Sequence, residues 1–228
     1  MAEEKMPIAV LISGQGTNLQ ALIDYLPDAK YQIAVVISNR ADAKGLDKAQ
    51  AADIATEVVD AQAFDTREAF DQAVLDKLTS YQVEAVVMAG FMRIVSEVLV
   101  NAYTGKMLNI HPSLLPKYPG LNTHERALEA GDAEHGLSVH FVTEQLDGGP
   151  VILQATTPIH DDDTAQTLKQ KVQSLEHEAY PLVVNLMARG DVHFKNHQAW
   201  FRDSPLETPI MLNKLQTLLA EHKHTEQP

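Results

Sequence analysis

Asn109 and His111 stand one residue apart at the end of an apolar run over 106–110. Alternation along a strand puts both side chains on one face. Pro112 then blocks further ladder pairing. A carboxamide donor and an imidazole therefore meet at a strand's carboxyl end, where open α/β sheets bind their ligands. The sequence continues Pro112-Ser113-Leu114-Leu115-Pro116, a stiff loop. The alternative, two strand-end polar residues satisfied by backbone, suits either residue alone better than the pair. A carboxylate follows at Asp147, in the turn Leu146-Asp147-Gly148-Gly149-Pro150. Asp in such a turn usually caps its own backbone, so a chemical role depends on its reaching His111.

A second constellation comes early. The apolar run 8–12 leads into Ser13-Gly14-Gln15-Gly16-Thr17-Asn18, and Leu19, Leu22, Ile23 and Leu26 then recur at helical spacing. Strand, glycine turn and helix present free N–H groups to an anion, and glycines let a ligand approach the backbone. A plain tight turn with an N-cap reads the same way. The spacing is neither Gly-x-Gly-x-x-Gly nor a Walker loop, since no Lys-Ser/Thr follows. The expectation is one phosphate, not a dinucleotide or a nucleoside triphosphate.

The elements that must position these residues alternate. Apolar runs over 31–38, 54–59, 83–89 and 106–110 read as strands, and 44–52, 66–80 and 96–102 as helices. This order gives an α/β fold with a doubly wound, mostly parallel central sheet and helices on both faces. The glycine turn, the turn Gly90-Phe91-Met92-Arg93 and the Asn-His strand end all follow strands, so all three should open on one sheet edge. A helix over 123–130 follows, then a strand over 137–142 and another from 151. In the first of these, Ser138 and His140 share a face. His140 is equally a satisfied core residue or a support for the site. A long amphipathic helix over 164–187 carries Glu176, His177 and Tyr180, and a small hairpin spans 192–201. Arg67 sits in a helix's first turn, where a cation opposes the dipole; alone it reads as part of a solvated face. His124, His135, His160 and His193 lack ligand spacing and read as surface or structural.

The totals set limits. A chain of 228 residues suits one large domain, or one with an appendage. No apolar run approaches the ~20 residues of a membrane helix, and the charged N-terminus lacks a signal peptide's core. There is no cysteine, so disulfides, thiolate catalysis and Cys-ligated zinc are excluded; a cytoplasmic location is expected. A net charge of −13 argues against a nucleic-acid face.

The chain resembles the phosphoribosylglycinamide formyltransferases over about residues 7–202. The matching pieces are Ser13-Gly14-Gln15-Gly16-Thr17-Asn18-Leu19-Gln20, Ala89-Gly90-Phe91-Met92-Arg93, the stretch from Leu108 through Asn109 and His111 to Pro116, His140-Phe141-Val142, and the turn from Leu146 to Pro150. The Asn-x-His-Pro-Ser-Leu-Leu-Pro stretch marks the wider formyltransferase superfamily, and the glycine turn points to this branch. The resemblance implies a Rossmann-like formyltransferase domain over 1–202, with a phosphate-binding N-terminal half and a folate-binding C-terminal half. Residues 203–228 would be an extension, partly helical or disordered. It implies formyl transfer from 10-formyltetrahydrofolate to the glycyl amine of the ribonucleotide. Asn109 and a protonated His111 would stabilise the oxyanion. Asp147 would favour the charged imidazole and relay the proton. Gly16, Thr17 and Asn18, with Gln173, Ser174, Leu175 and Glu176, would hold the ribonucleotide. Arg67, Met92, Arg93, Ile94, Val95, Asn109, Thr143, Glu144, Gln145, Leu146 and Asp147 would line the folate site. No metal is implied, because the donor already carries an activated acyl group. Only small-molecule partners are implied, for a monomer or homodimer.

The alternatives are another enzyme using 10-formyltetrahydrofolate, hydrolase or formyltransferase, and a non-catalytic nucleotide or folate sensor. Methionyl-tRNA formyltransferases usually add a basic RNA-binding domain, for which too few residues follow 202 in an acidic chain. The hydrolases carry a regulatory domain ahead of the first strand, which here starts at residue 7. A sensor has no reason to keep Asn109, His111 and Asp147 together.

Overall fold

In the computed structural model the described residues are 4–225, the last five by backbone alone. The elements run β1 (Met6–Ile12), α1 (Thr17–Asp24), β2 (Tyr31–Ser38), α2 (Gly45–Ala51), β3 (Thr56–Val58), α3 (Arg67–Ser80), β4 (Ala85–Met88), α4 (Glu97–Ala102) and β5 (Met107–His111). They continue with α5 (Thr123–Glu129), β6 (Glu134–Phe141), β7 (Val151–Pro158), α6 (Ala165–Ala188), β8 (Val192–Lys195), β9 (Gln198–Phe201), β10 (Ser204–Pro205), β11 (Ile210–Met211) and α7 (Leu212–Thr225).

Among these residues β8, β9 and β10 make a small antiparallel sheet. The main sheet has eight strands in the order β11-β7-β6-β5-β4-β1-β2-β3. The strands from β3 through β5 are parallel, β6 is antiparallel to both neighbours, and β11 runs parallel to β7. The alternation of β1 explains the layers. Ile8, Val10 and Ile12 face one core, where α1, α2 and α6 pack; Ala9 and Leu11 face the other, with Phe70, Val74 and Leu78 of α3 and Leu99 of α4. The expected helices on both faces are present.

The chain winds outward from β1 through β2 to β3, then crosses back to β4 on the other side of β1. The strand order reverses between β1 and β4, so a crevice opens beyond their carboxyl ends. Tyr180 of α6, fully buried, braces this region by donating to the Met88 carbonyl at 2.8 Å and the Leu108 carbonyl at 3.1 Å.

Residues beyond 202 pack on the rest of the chain. Ile210 and Met211 pair with Leu153 and Gln154, and Leu212 and Leu215 enter the same core as β1. The helix expected there is α7. The expected polar end over 221–228 falls outside the described residues, apart from the helical backbone to Thr225. No helix among the described residues is long and apolar enough to cross a membrane.

Candidate active site

Asn109 lies on β5 directly opposite His140 of β6. The His140 ring is buried, and burial pushes its pKa below the ordinary value, so it stays neutral. Its Nδ1–H donates to the Phe141 carbonyl at 2.9 Å, which leaves Nε2 to accept from Asn109 Nδ2 at 3.2 Å. His140 thereby fixes which end of the carboxamide is the donor and leaves a second Nδ2–H for the crevice. Of the two readings open in the sequence, the structure selects the support for the site.

His111 ends β5 and is 5% exposed. Its Nε2–H donates to the Tyr118 carbonyl at 2.8 Å. Its Nδ1 lies 3.5 Å from Asp147 Oδ2. Asp147 does not cap its own turn, which is closed by Gly148 N–H donating to the Gln145 carbonyl at 3.1 Å. Instead its Oδ2 accepts the Gly120 N–H at 2.8 Å, and its Oδ1 is 3.9 Å from His140 Nε2. The carboxylate thus sits between the two imidazoles, from a backbone at φ +49°. Gly149 makes this possible: a Cβ there would stand 1.8 Å from the Phe141 carbonyl oxygen, so only glycine lets the turn fold back over β6.

The Pro-rich loop is tied down from below. Ser138 Oγ donates to the Ser113 carbonyl at 2.7 Å and accepts the Leu115 N–H at 2.9 Å. His135 is buried with its Nε2 3.1 Å from His124 Nδ1, so this pair is structural. His160 is exposed, and His193 stacks on Trp200. Burial, then the neighbouring His124, pushes the His135 pKa from 6.5 down to about 4. The unfolded chain would take up this proton near pH 6.5 and the folded chain only near 4. Stability present above pH 6.5 is therefore lost as pH falls toward 4. The melting temperature should drop between pH 7 and pH 5, and less so in His135→Gln. An identical drop in that variant would place the acid sensitivity elsewhere.

Two cavities flank the crevice. One, of about 460 Å³, is lined by the glycine turn, Gly90, Met92 and the α6 residues Gln166, Lys169, Gln170 and Gln173. Packing of α1 on α6 brings the sequence-predicted set together: Gln173 Nε2 donates to Thr17 Oγ1 at 2.9 Å, and Asn18 Nδ2 donates to Glu176 Oε2 at 2.9 Å. Burial pushes the Glu176 carboxyl pKa up. Asn18 Oδ1 is buried without a hydrogen-bond partner, an acceptor awaiting a donor. Ser174 and Leu175 are not brought in: the Ser174 hydroxyl donates to the Gln170 carbonyl of its own helix, and Leu175 packs on the core. Gly16 lines the cavity and is also packed closely on its other side. A Cβ there would lie 2.6 Å from Gly45 Cα, and its φ is +66°. Gly14, with nothing within 4 Å of a built Cβ, is the glycine open to the cavity.

The other cavity is a slot of about 40 Å³ lined by Arg93, Ile94, Val95, Asn109, His140 and the loop from Thr143 to Asp147. Ile94 and Leu146, both exposed, line it, and exposed Met92 precedes Arg93 on the same segment. Arg93 stacks its guanidinium 4.4 Å above Phe70, and Arg67 is exposed at the start of α3. Sequence reasoning passed over Tyr118, which carries no motif, and gave Ser13 no role beyond opening the glycine turn; only the fold shows their partners. No group of three or more His, Asp or Glu among the described residues could hold a metal ion.

A carboxamide and a carboxylate–imidazole pair stand one strand from the reversal point, near the glycine-turn cavity and the slot, an arrangement that suits a group-transfer enzyme with two substrates. The chain belongs to the formyl transferase family, whose model matches residues 6–184. Its similarity is to the phosphoribosylglycinamide formyltransferases. It is 52% identical over 197 residues to that enzyme of Escherichia coli (strain K12), covering 86% of this chain and 93% of that protein. It is 47% identical over 192 residues to the human trifunctional purine biosynthetic protein adenosine-3, covering 83% of this chain but 19% of that larger protein. The solved phosphoribosylglycinamide formyltransferase of Coxiella burnetii superposes with a TM-score of 0.88 at 48% identity, over 91% of this chain and 99% of that one.

Proposed function

We propose that this protein transfers the formyl group of 10-formyltetrahydrofolate to the primary amine of 5'-phosphoribosylglycinamide, yielding formylglycinamide ribonucleotide and tetrahydrofolate in purine synthesis. The observation that carries the reading is the placement of Asn109, His111 and Asp147 between the glycine-turn cavity and the slot. The ribonucleotide phosphate lies against the glycine turn and the start of α1, with Asn18 and Glu176 toward the ribose. The folate lies over Met92 and Ile94 toward the slot, with Arg67 available to an outer carboxylate. The amine nitrogen attacks the formyl carbon, and the carbonyl electron pair moves onto oxygen. Asn109 and His111 donate to that oxygen, the role of preorganised donors in acyl transfer. The Tyr118 carbonyl now on His111 Nε2 is an oxygen acceptor of the same kind, which the substrate displaces. Asp147 receives the proton lost by the attacking nitrogen, the C–N bond to the folate breaks, and a proton returns to the departing nitrogen. We assign the work to the cytoplasm.

The test is a formyl-transfer assay with phosphoribosylglycinamide, glycinamide and water as competing acceptors. Stoichiometric formylation of the ribonucleotide is expected. Steady consumption of the donor without an amine would mark a hydrolase instead. The glycine turn has its own test. Gly14→Val places a side chain in the open cavity without touching the fold. It should raise KM for the ribonucleotide by about tenfold or more, the equivalent of one or two lost hydrogen bonds, with KM for the folate unchanged. Equal effects on both would remove the phosphate from this turn.

A further inference from the structure

The segment from Gly90 to Val95 lines both cavities: Gly90 and Met92 face the glycine-turn cavity, and Arg93, Ile94 and Val95 face the slot. One buried hydroxyl holds this shared wall. The parallel pairing of β1 with β4 runs past the strand ends through Ala89 N–H to the Leu11 carbonyl at 2.8 Å, and Ser13 N–H to the Gly90 carbonyl at 3.2 Å. There the backbone diverges, with Gly90 at φ +74°. The Ser13 side chain supplies the next rung. Its Oγ accepts the Met92 N–H at 2.8 Å and donates to Asn39 Oδ1 at 2.6 Å. Ser13 and Asn39 are 7% and 9% exposed, so water is a poor substitute for either bond. All of this stands at the reversal point of the strand order, between the two cavities.

We infer that Ser13 is a positioning residue that couples the two substrates: it locks the ribonucleotide turn to the wall of the folate slot, so that filling one site orders the other. The inference rests on the assignment of the two cavities made above. A ligand that fixes the turn after Ser13 also fixes Met92 N, and with it the backbone that carries Arg93 to Val95. The entropy of ordering that wall is then spent once for two ligands, which is positive cooperativity, and it must be reciprocal.

Calorimetric titration tests it, with tetrahydrofolate, which carries no formyl group, and phosphoribosylglycinamide. In the wild-type protein each ligand should tighten the other by about fivefold or more, the lower range of measured couplings. In Ser13→Ala the factor should fall to about one, with KM raised for both substrates, unlike the one-sided effect of Gly14→Val. Ser13→Thr, which keeps the hydroxyl, should restore the coupling. Asn39→Ala, which removes the acceptor orienting that hydroxyl, should weaken it. Undiminished coupling in a folded Ser13→Ala, or no coupling in the wild-type protein, overturns the inference. Turnover is read separately. A protein that binds both ligands with the coupling yet transfers no formyl group overturns the functional reading and leaves the Ser13 bridge standing.

Discussion

His111→Ala should lower the single-turnover rate of formyl transfer by about 10²–10³, the usual cost of one oxyanion donor. The expectation rests on where the ring is held. With Nε2–H on the Tyr118 carbonyl and Nδ1 facing Asp147, the imidazole has one edge for an oxygen acceptor and one for a carboxylate. Alanine removes both. It also leaves Asp147 with the Gly120 N–H but without the ring, so a stability loss of about 1–3 kcal/mol is expected for the unmet buried group. That is smaller than the net stability of a typical domain, and the variant should fold. Thermal unfolding and rapid-quench transfer measured on one preparation separate the two effects. A folded variant with a near-wild-type rate would end the assignment.

The second large effect is expected from Asp147→Asn. The structure makes this an unusually clean probe of charge. Asparagine tolerates the left-handed backbone at φ +49°. Its carbonyl oxygen can still accept the Gly120 N–H now bound to Oδ2. Shape, turn and anchoring survive, and only the negative charge between His111 and His140 is lost. If the carboxylate takes the proton from the attacking nitrogen, the rate falls by about 10²–10⁴ with little change in melting temperature. If Asp147 merely anchors the loop at Gly120, activity stays close to that of the parent. The two outcomes are far enough apart to be read from initial rates.

Much of this was legible in the sequence because burial and alternation leave strong marks. The parallel half of the sheet, from β1 through β5, is written in short apolar runs that must be covered on both faces, and these runs place the strands to within a residue or two. The direction of a strand leaves no such mark. Val139 and Phe141 alternate the same way whether β6 runs parallel or antiparallel, and only the pairing of Asn109 with His140 shows which it is. The site was legible where chemistry repeats a pattern, at Asn109, His111 and the glycine turn. What left no mark is a side chain's distant backbone partner, even for Asp147, which the resemblance names. Asp147 spans 27 positions to reach Gly120, and Ser13 spans 79 to reach Met92. Gly16 shows a second demand that the motif hides: it lines the cavity and also leaves room for the close approach of Gly45.

The two-residue strand β11 has a consequence for the sheet's margin. A sheet's outermost strands offer unsatisfied amide and carbonyl groups that another copy can zip onto. At one border β3 is only three residues long. At the other, β7 is eight residues long and would be a template of useful length for self-association. β11 interrupts it at Leu153 and Gln154, and α7 follows immediately, turning a long sticky margin into a short interrupted one. The polypeptide past residue 205 thus works as a selvedge: Leu212 and Leu215 fasten it to the core, and β11 finishes a margin that β7 would otherwise leave raw.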